Sequence, residues 1–178
     1  MTAYRRNLVA GGTYFFTVNL ADRGLSLLTD NIELLRAAFR YTRHRHPFTI
    51  DAIVVLPDHL HALWTLPPGD SDFATRWRLI KTTFSRGLLP TESVSASRSR
   101  KRERGVWQRR FWEHTIRDDG DFARHMDYIH FNPVKHSYVQ RVQDWPFSSF
   151  HRWVRLSCYP PEWSGRPVDE PDNGFGER

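Results

Sequence analysis

Cysteine is almost absent: Cys158 is the one thiol in 178 residues. That excludes a disulfide framework and any Cys-rich zinc site, and it fits a reducing compartment. Long apolar runs are missing as well. Stretches such as Ile53 to Leu56 fall far short of the roughly 20 residues a membrane span needs. The first residues, MTAYRRNLVAGG, lack the apolar stretch of a signal peptide. These absences predict a soluble cytoplasmic protein with no membrane partner. No internal repeat is visible, and a chain of this length with 39% hydrophobic residues suits one domain with a real core.

Acidic residues are in deficit, with 20 Asp+Glu against 26 Lys+Arg and a formal charge of +6. Such a balance favours a polyanionic partner. The excess is local, however. Residues 98 to 110 carry seven basic side chains (Arg98, Arg100, Lys101, Arg102, Arg104, Arg109, Arg110) against Glu103, and the other 165 residues balance at 19 of each sign. Residues 90–106 are rich in Ser and Arg without apolar periodicity, which predicts a flexible basic loop. Residues 165–178, with Pro, Gly and mixed charge, predict a disordered tail. A single domain over 1–164 remains. Aromatics make up 14% of the chain, including seven Trp; such rings beside positive charge suit stacking on single-stranded bases, although core burial is the commoner fate of any one ring.

Thr13 to Leu20 (TYFFTVNL) is β-branched and aromatic and predicts a strand. Asp30 is placed to cap a helix with Ile32, Leu35, Phe39 and Thr42 at helical spacing, stopped by Pro47. Phe48 to Leu56 and His59 to Leu66 predict two strands joined in a hairpin at Pro57-Asp58. Asp72 caps a second helix with Phe73, Trp77, Ile80 and Phe84 inward and Arg76, Arg78 and Lys81 outward. Trp107 to Ile116 predicts a fourth strand. Asp118 or Asp119 opens a third helix that runs to about Phe131 and ends before Pro133. The order predicts an α+β fold with a ferredoxin-like β-α-β-β-α-β core, an antiparallel sheet with helices on one face.

His59-Leu60-His61 falls on a predicted strand, where alternation puts both imidazoles on one face about 7 Å apart, able to grip one metal ion. Nine histidines are enough for such a spacing to arise by chance, and His44-Arg45-His46 is a second instance. That pair sits at a helix end, where residues two apart diverge, and is expected on the surface. On the third helix Asp121, His125, Tyr128 and Asn132 share a polar stripe. Phe122, Met126 and Ile129 form the neighbouring apolar stripe that packs on the sheet, leaving the polar stripe at its edge.

VVLPDHLHALW around His59 and His61, and MDYIHFNPVKH around Tyr128, resemble the two motifs of the single-tyrosine HUH transposases of the IS200/IS605 type, and most closely the REP-associated tyrosine transposases. The similarity extends from Tyr4-Arg5-Arg6 and GGTYFFTVNL through WQRRFWEH to DWPFSSF. It implies an HUH endonuclease fold and metal-dependent cleavage and rejoining of single-stranded DNA at repetitive extragenic palindromes. The cofactor implied is Mg²⁺ or Mn²⁺ bound by His59, His61 and the Asn132 amide oxygen, polarising the scissile phosphate. Tyr128 is the implied nucleophile, forming a 5′-phosphotyrosine. Its phenol ordinarily titrates near pH 10 and needs help from the metal or a base, for which His125 is the candidate.

The resemblance also implies a hairpin substrate flanked by a short single-stranded guide such as GTAG or GTTC, and a monomer with its tyrosine used in cis rather than a dimer. Tyr4, Arg5, Arg6, Arg109 and Arg110 are expected to contact DNA, and Trp107 and Trp112 to stack on bases. DWPFSSF is expected to be a structural turn with aromatic anchors. Two other classes stay open on the sequence: a catalytically silent hairpin DNA- or RNA-binding module, and a metal hydrolase that uses activated water.

Overall fold

The computed structural model describes residues 7–89 and 104–165. Tyr4, Arg5 and Arg6, most of the basic loop and nearly all of the tail lie outside these described residues. Strands β1 (Thr13–Asn19), β2 (Thr49–Val55), β3 (His59–Thr65) and β4 (Trp112–Thr115) form one antiparallel sheet in the order β2-β3-β1-β4. This is the strand order of the expected ferredoxin-like core. The helices are α1 (Leu27–Asp30), α2 (Ile32–Arg45), α3 (Phe73–Gly87), α4 (Asp119–Lys135) and α5 (Phe150–Arg155). Among the described residues no helix is long and apolar enough to cross a membrane.

Alternation along β1 and β3 divides the sheet into two faces with different partners. Tyr14, Phe16, Leu60, Ala62 and Trp64 point to the face covered by α2 and α3, where they meet Leu35, Phe39, Phe73, Trp77 and Ile80. Trp64 and Trp77 stack there with ring centroids 4.2 Å apart, and truncating such a core Trp costs about 3–5 kcal/mol. Phe15, Ala52, Val54 and Leu63 point the other way and pack on Met126, Tyr128 and Ile129 of α4. Both histidines of the β3 motif share this second face, so α4 is laid directly over them.

Asp72 caps α3 by accepting from the Thr75 amide at 2.9 Å, and Asp118 caps α4 by accepting from the Asp121 amide at 2.7 Å. Asp30 does not cap α2; it ends the short α1, and Asn31 occupies the junction. Arg76 also departs from its expected outward position, being only 2% exposed. Its guanidinium donates to the carbonyls of Asp72 (2.8 Å) and Pro47 (2.7 Å) and to the Asp70 carboxylate (2.6 Å). With those acceptors met, its burial ties the start of α3 to the chain leaving α2.

The fourth strand is shorter than expected because its first half bulges. Thr17 pairs with Trp112 and Leu20 with Trp107, so residues 108–111 face only residues 18 and 19 of β1. The surplus is expelled at Arg109 and Arg110, which are exposed. Lys81 of α3 braces this bulge by donating to the Gln108 carbonyl at 3.0 Å.

The edge strand β2 is covered by the DWPFSSF segment. The Val55 amide donates to the Phe147 carbonyl at 2.9 Å, the Ser149 amide to the Ile53 carbonyl at 2.8 Å, and the Trp145 indole to the Val55 carbonyl at 3.0 Å. That agrees with a structural turn anchored by aromatics, and it removes an open edge.

Helix α4 does not stop before Pro133, as the sequence suggests, but carries the proline inside and continues to Lys135. Proline removes one backbone donor near a helix end that then closes securely. Ser137 adopts a left-handed φ of 59°, its amide donates to the Val134 carbonyl, and the Tyr138 amide reaches back to the Pro133 carbonyl, both at 2.9 Å. This is a Schellman closure with serine where glycine is usual.

Candidate active site

The register of β1 against β3 sets the first half of the site, placing Thr17 opposite His61 and Asn19 opposite His59. Both histidines are buried, at 0% and 1% exposure, with ring centroids 5.0 Å apart. His61 Nδ1 lies 2.9 Å from Thr17 Oγ1. His59 Nδ1 lies 2.8 Å from Asp58 Oδ1. Asp58 is in turn paired with Arg23, whose guanidinium also donates to Asn19 Oδ1 at 3.1 Å. Burial alone would raise the Asp58 carboxyl, but the hydrogen bonds from His59 and Arg23 outweigh it and hold it down at about 2. Asp58 is therefore a carboxylate acceptor at neutral pH, and its contact favours a proton on His59 Nδ1, the arrangement that turns Nε2 towards a ligand.

Helix α4 supplies the second half. Tyr128 is 6% exposed, and its ring meets the His61 ring edge-on at 5.3 Å and the Phe15 ring at 5.9 Å. Lys135 Nζ donates to the Tyr128 hydroxyl at 3.1 Å and sits 4.8 Å from its ring centroid. Asn132, one turn beyond Tyr128, is fully buried. One turn further, the His136 ring lies 5.2 Å from that of His59. The polar stripe thus faces the sheet rather than lying at its edge. The reason is that the site side of the sheet offers Thr17, His59 and His61 as polar neighbours.

His125, the candidate base, is buried with Nδ1 2.8 Å from the Asp121 carbonyl oxygen, 4.7 Å from Phe15 by ring centroids, and stacked on His114 at 4.7 Å. Burial lowers its pKa against the opposing hydrogen bond to Asp121. Asp121 also accepts from His114 Nε2 at 2.8 Å and from the Arg117 amide at 3.0 Å. Ligand atoms of His114, Asp121 and His125 lie within 4.8 Å of one another, close enough to hold a cation. Their near-parallel rings, 14° apart, direct both imidazoles at the same carboxylate, which organises the start of α4.

The expected DNA contacts divide. Arg109 and Arg110 are exposed on the bulge. Trp112 is half-buried on the site face, edge-on to Phe15 at 5.8 Å. Trp107 is only 7% exposed, with its ring 5.4 Å from Phe84. It belongs to the α3 core and offers no open face for a base, because the bulge turns it inward. Lys135 and His136 are the residues the sequence reading missed. Their signal was the spacing from Tyr128, hidden by the assumption that Pro133 ends the helix.

No protein-family model matches the chain. A REP-associated tyrosine transposase of Escherichia coli K12 is 47% identical over 180 residues, covering 100% of this chain and 98% of that protein. A Haemophilus influenzae Rd protein of the same family name is 52% identical over 169 residues, covering 94% of this chain and 96% of the relative. A solved REP-associated tyrosine transposase bound to a REP hairpin superposes with a TM-score of 0.85 at 46% identity, covering 100% of this chain and 98% of that one. With this similarity running the length of the fold and through both halves of the site, the chain belongs to the REP-associated tyrosine transposases.

Proposed function

We propose that this transposase binds REP hairpins with a short single-stranded guide, cuts one strand through Tyr128 and rejoins strands from the covalent intermediate. The observation that carries the reading is the Tyr128 ring against His61 of its own chain, which supports use of the tyrosine in cis and a monomer. Attack of the phenolic oxygen on phosphorus makes the tyrosyl-phosphate bond and releases a 3′-hydroxyl. The bond energy is retained, so another 3′-hydroxyl can reverse the step without ATP.

The donor set fits a divalent cation. Two imidazoles on one strand face are fixed through Nδ1 by Thr17 and Asp58, and Asn132 adds a buried amide one turn from Tyr128. His59, His61 and Asn132 would hold Mg²⁺ or Mn²⁺, imidazole favouring Mn²⁺. When bound, it would supply Lewis-acid polarisation of the scissile phosphate. Arg109 and Arg110 are exposed for phosphate or guanine contacts, and Trp112 for stacking; Tyr4, Arg5 and Arg6 complete the proposed DNA set. A role on chromosomal repeats puts the protein in the cytoplasm with the nucleoid.

The test is a labelled REP hairpin analysed on denaturing gels. A protein-DNA adduct is expected from the native chain with Mn²⁺ or Mg²⁺. It should vanish with EDTA and in Tyr128→Phe, while hairpin binding persists in both. Cleavage by Tyr128→Phe would overturn the nucleophile assignment. Binding by the native protein with neither adduct nor cleavage would favour a silent binder.

A further inference from the structure

We propose that Lys135 is a catalytic residue for both cleavage and rejoining, acting as a fixed cationic donor on the Tyr128 oxygen. The inference rests on the reading of Tyr128 as nucleophile. Lys135 Nζ donates to that hydroxyl at 3.1 Å and lies 4.8 Å from the ring centroid, so its charge is concentrated at the reacting atom.

The geometry follows from the helix. Residues seven apart differ by only about 20° around the axis at 3.6 residues per turn, and α4 continues through Pro133 to present Lys135 above Tyr128. The Schellman closure at Ser137 holds that last turn in place. Tyr128 is buried and Lys135 half-buried, so the donor meets less competition from water than one on an open surface.

In cleavage, the bond from the Tyr128 oxygen to phosphorus forms, the bond from phosphorus to the 3′-oxygen breaks, and the phenolic proton is passed on so that a 3′-hydroxyl results. In rejoining, the incoming 3′-hydroxyl gives up its proton as its oxygen bonds to phosphorus, and the phenolic oxygen leaves with the electron pair and takes up a proton. Negative charge develops on the phenolic oxygen in both directions. Through its hydrogen bond Lys135 stabilises that charge as a cationic donor, so by microscopic reversibility it assists both steps.

Adduct formation on a REP hairpin and rejoining from the isolated adduct are to be timed separately for the native protein, Lys135→Met and Lys135→Arg, with hairpin affinity and melting temperature measured alongside. Lys135→Met is expected to slow both steps about 100-fold, the scale of losing one donor to developing charge, without loss of hairpin affinity. Lys135→Arg is expected to restore much of the rate. Fluorotyrosine at position 128, whose phenolate is intrinsically more stable, is expected to narrow the gap between the native protein and Lys135→Met; a purely structural lysine would leave that gap unchanged. Equal rates in native protein and Lys135→Met, or a gap unaltered by fluorotyrosine, overturn the proposal. Failure of the native protein to form any adduct instead overturns the underlying reading of Tyr128.

Discussion

Thr17 Oγ1 and His61 Nδ1 are 2.9 Å apart, joined across β1 and β3 at a register position where the two residues are direct partners. The contact fixes how the imidazole is turned, and Asp58 does the same for His59 at 2.8 Å. Both supports therefore act on the proposed metal site without belonging to it.

Removing either support should weaken metal binding while leaving the ligands present. Thr17→Val and Asp58→Asn are each expected to lower Mn²⁺ affinity by about 10–100-fold, measured by metal titration of the purified protein. Unchanged affinity in both variants would place the metal elsewhere.

The two arginines on the β4 bulge should act through charge. Arg109→Ala and Arg110→Ala are each predicted to reduce the slope of log K against log salt for hairpin binding by about 1. A loss of affinity with the slope intact would assign them to base reading rather than phosphate contact.

Ser137 pays for its left-handed φ of 59° at the end of α4. Glycine has no Cβ to clash in that conformation, so Ser137→Gly should stabilise the folded state by about 1 kcal/mol, visible as a rise in melting temperature. A fall would show that the serine side chain contributes more than its backbone strain costs.

His130 should make stability depend on pH. Burial first, then the charges of Arg152 and His151, lower its pKa from 6.5 to about 3, while its Nε2 lies 3.0 Å from Ser149 Oγ. The unfolded chain takes up the proton near 6.5 and the folded one resists until about 3. The stabilising contribution is therefore complete above 6.5 and is lost as pH falls towards 3. His130→Gln, which does not titrate, should flatten that part of the denaturation profile; identical slopes would refute the assignment.

The sequence by itself determined the order of elements along the chain and the shared face of His59 and His61, because alternation on a strand is strictly local and a two-residue spacing suffices to put both on one face. It also carried the family motifs and showed that the charge excess is confined to one segment. Burial of Arg76 depended instead on the Pro47 carbonyl being brought to its guanidinium, which no local pattern records. Whether a tryptophan was core or exposed turned on the bulge that drives Trp107 inward and Arg109 and Arg110 outward. The site was half legible for the same reason. Tyr128 and Asn132 lay on a helix that could be read, whereas Lys135 and His136 joined them only because tertiary packing and a Schellman closure carry α4 past Pro133, overriding the local preference of proline to end it.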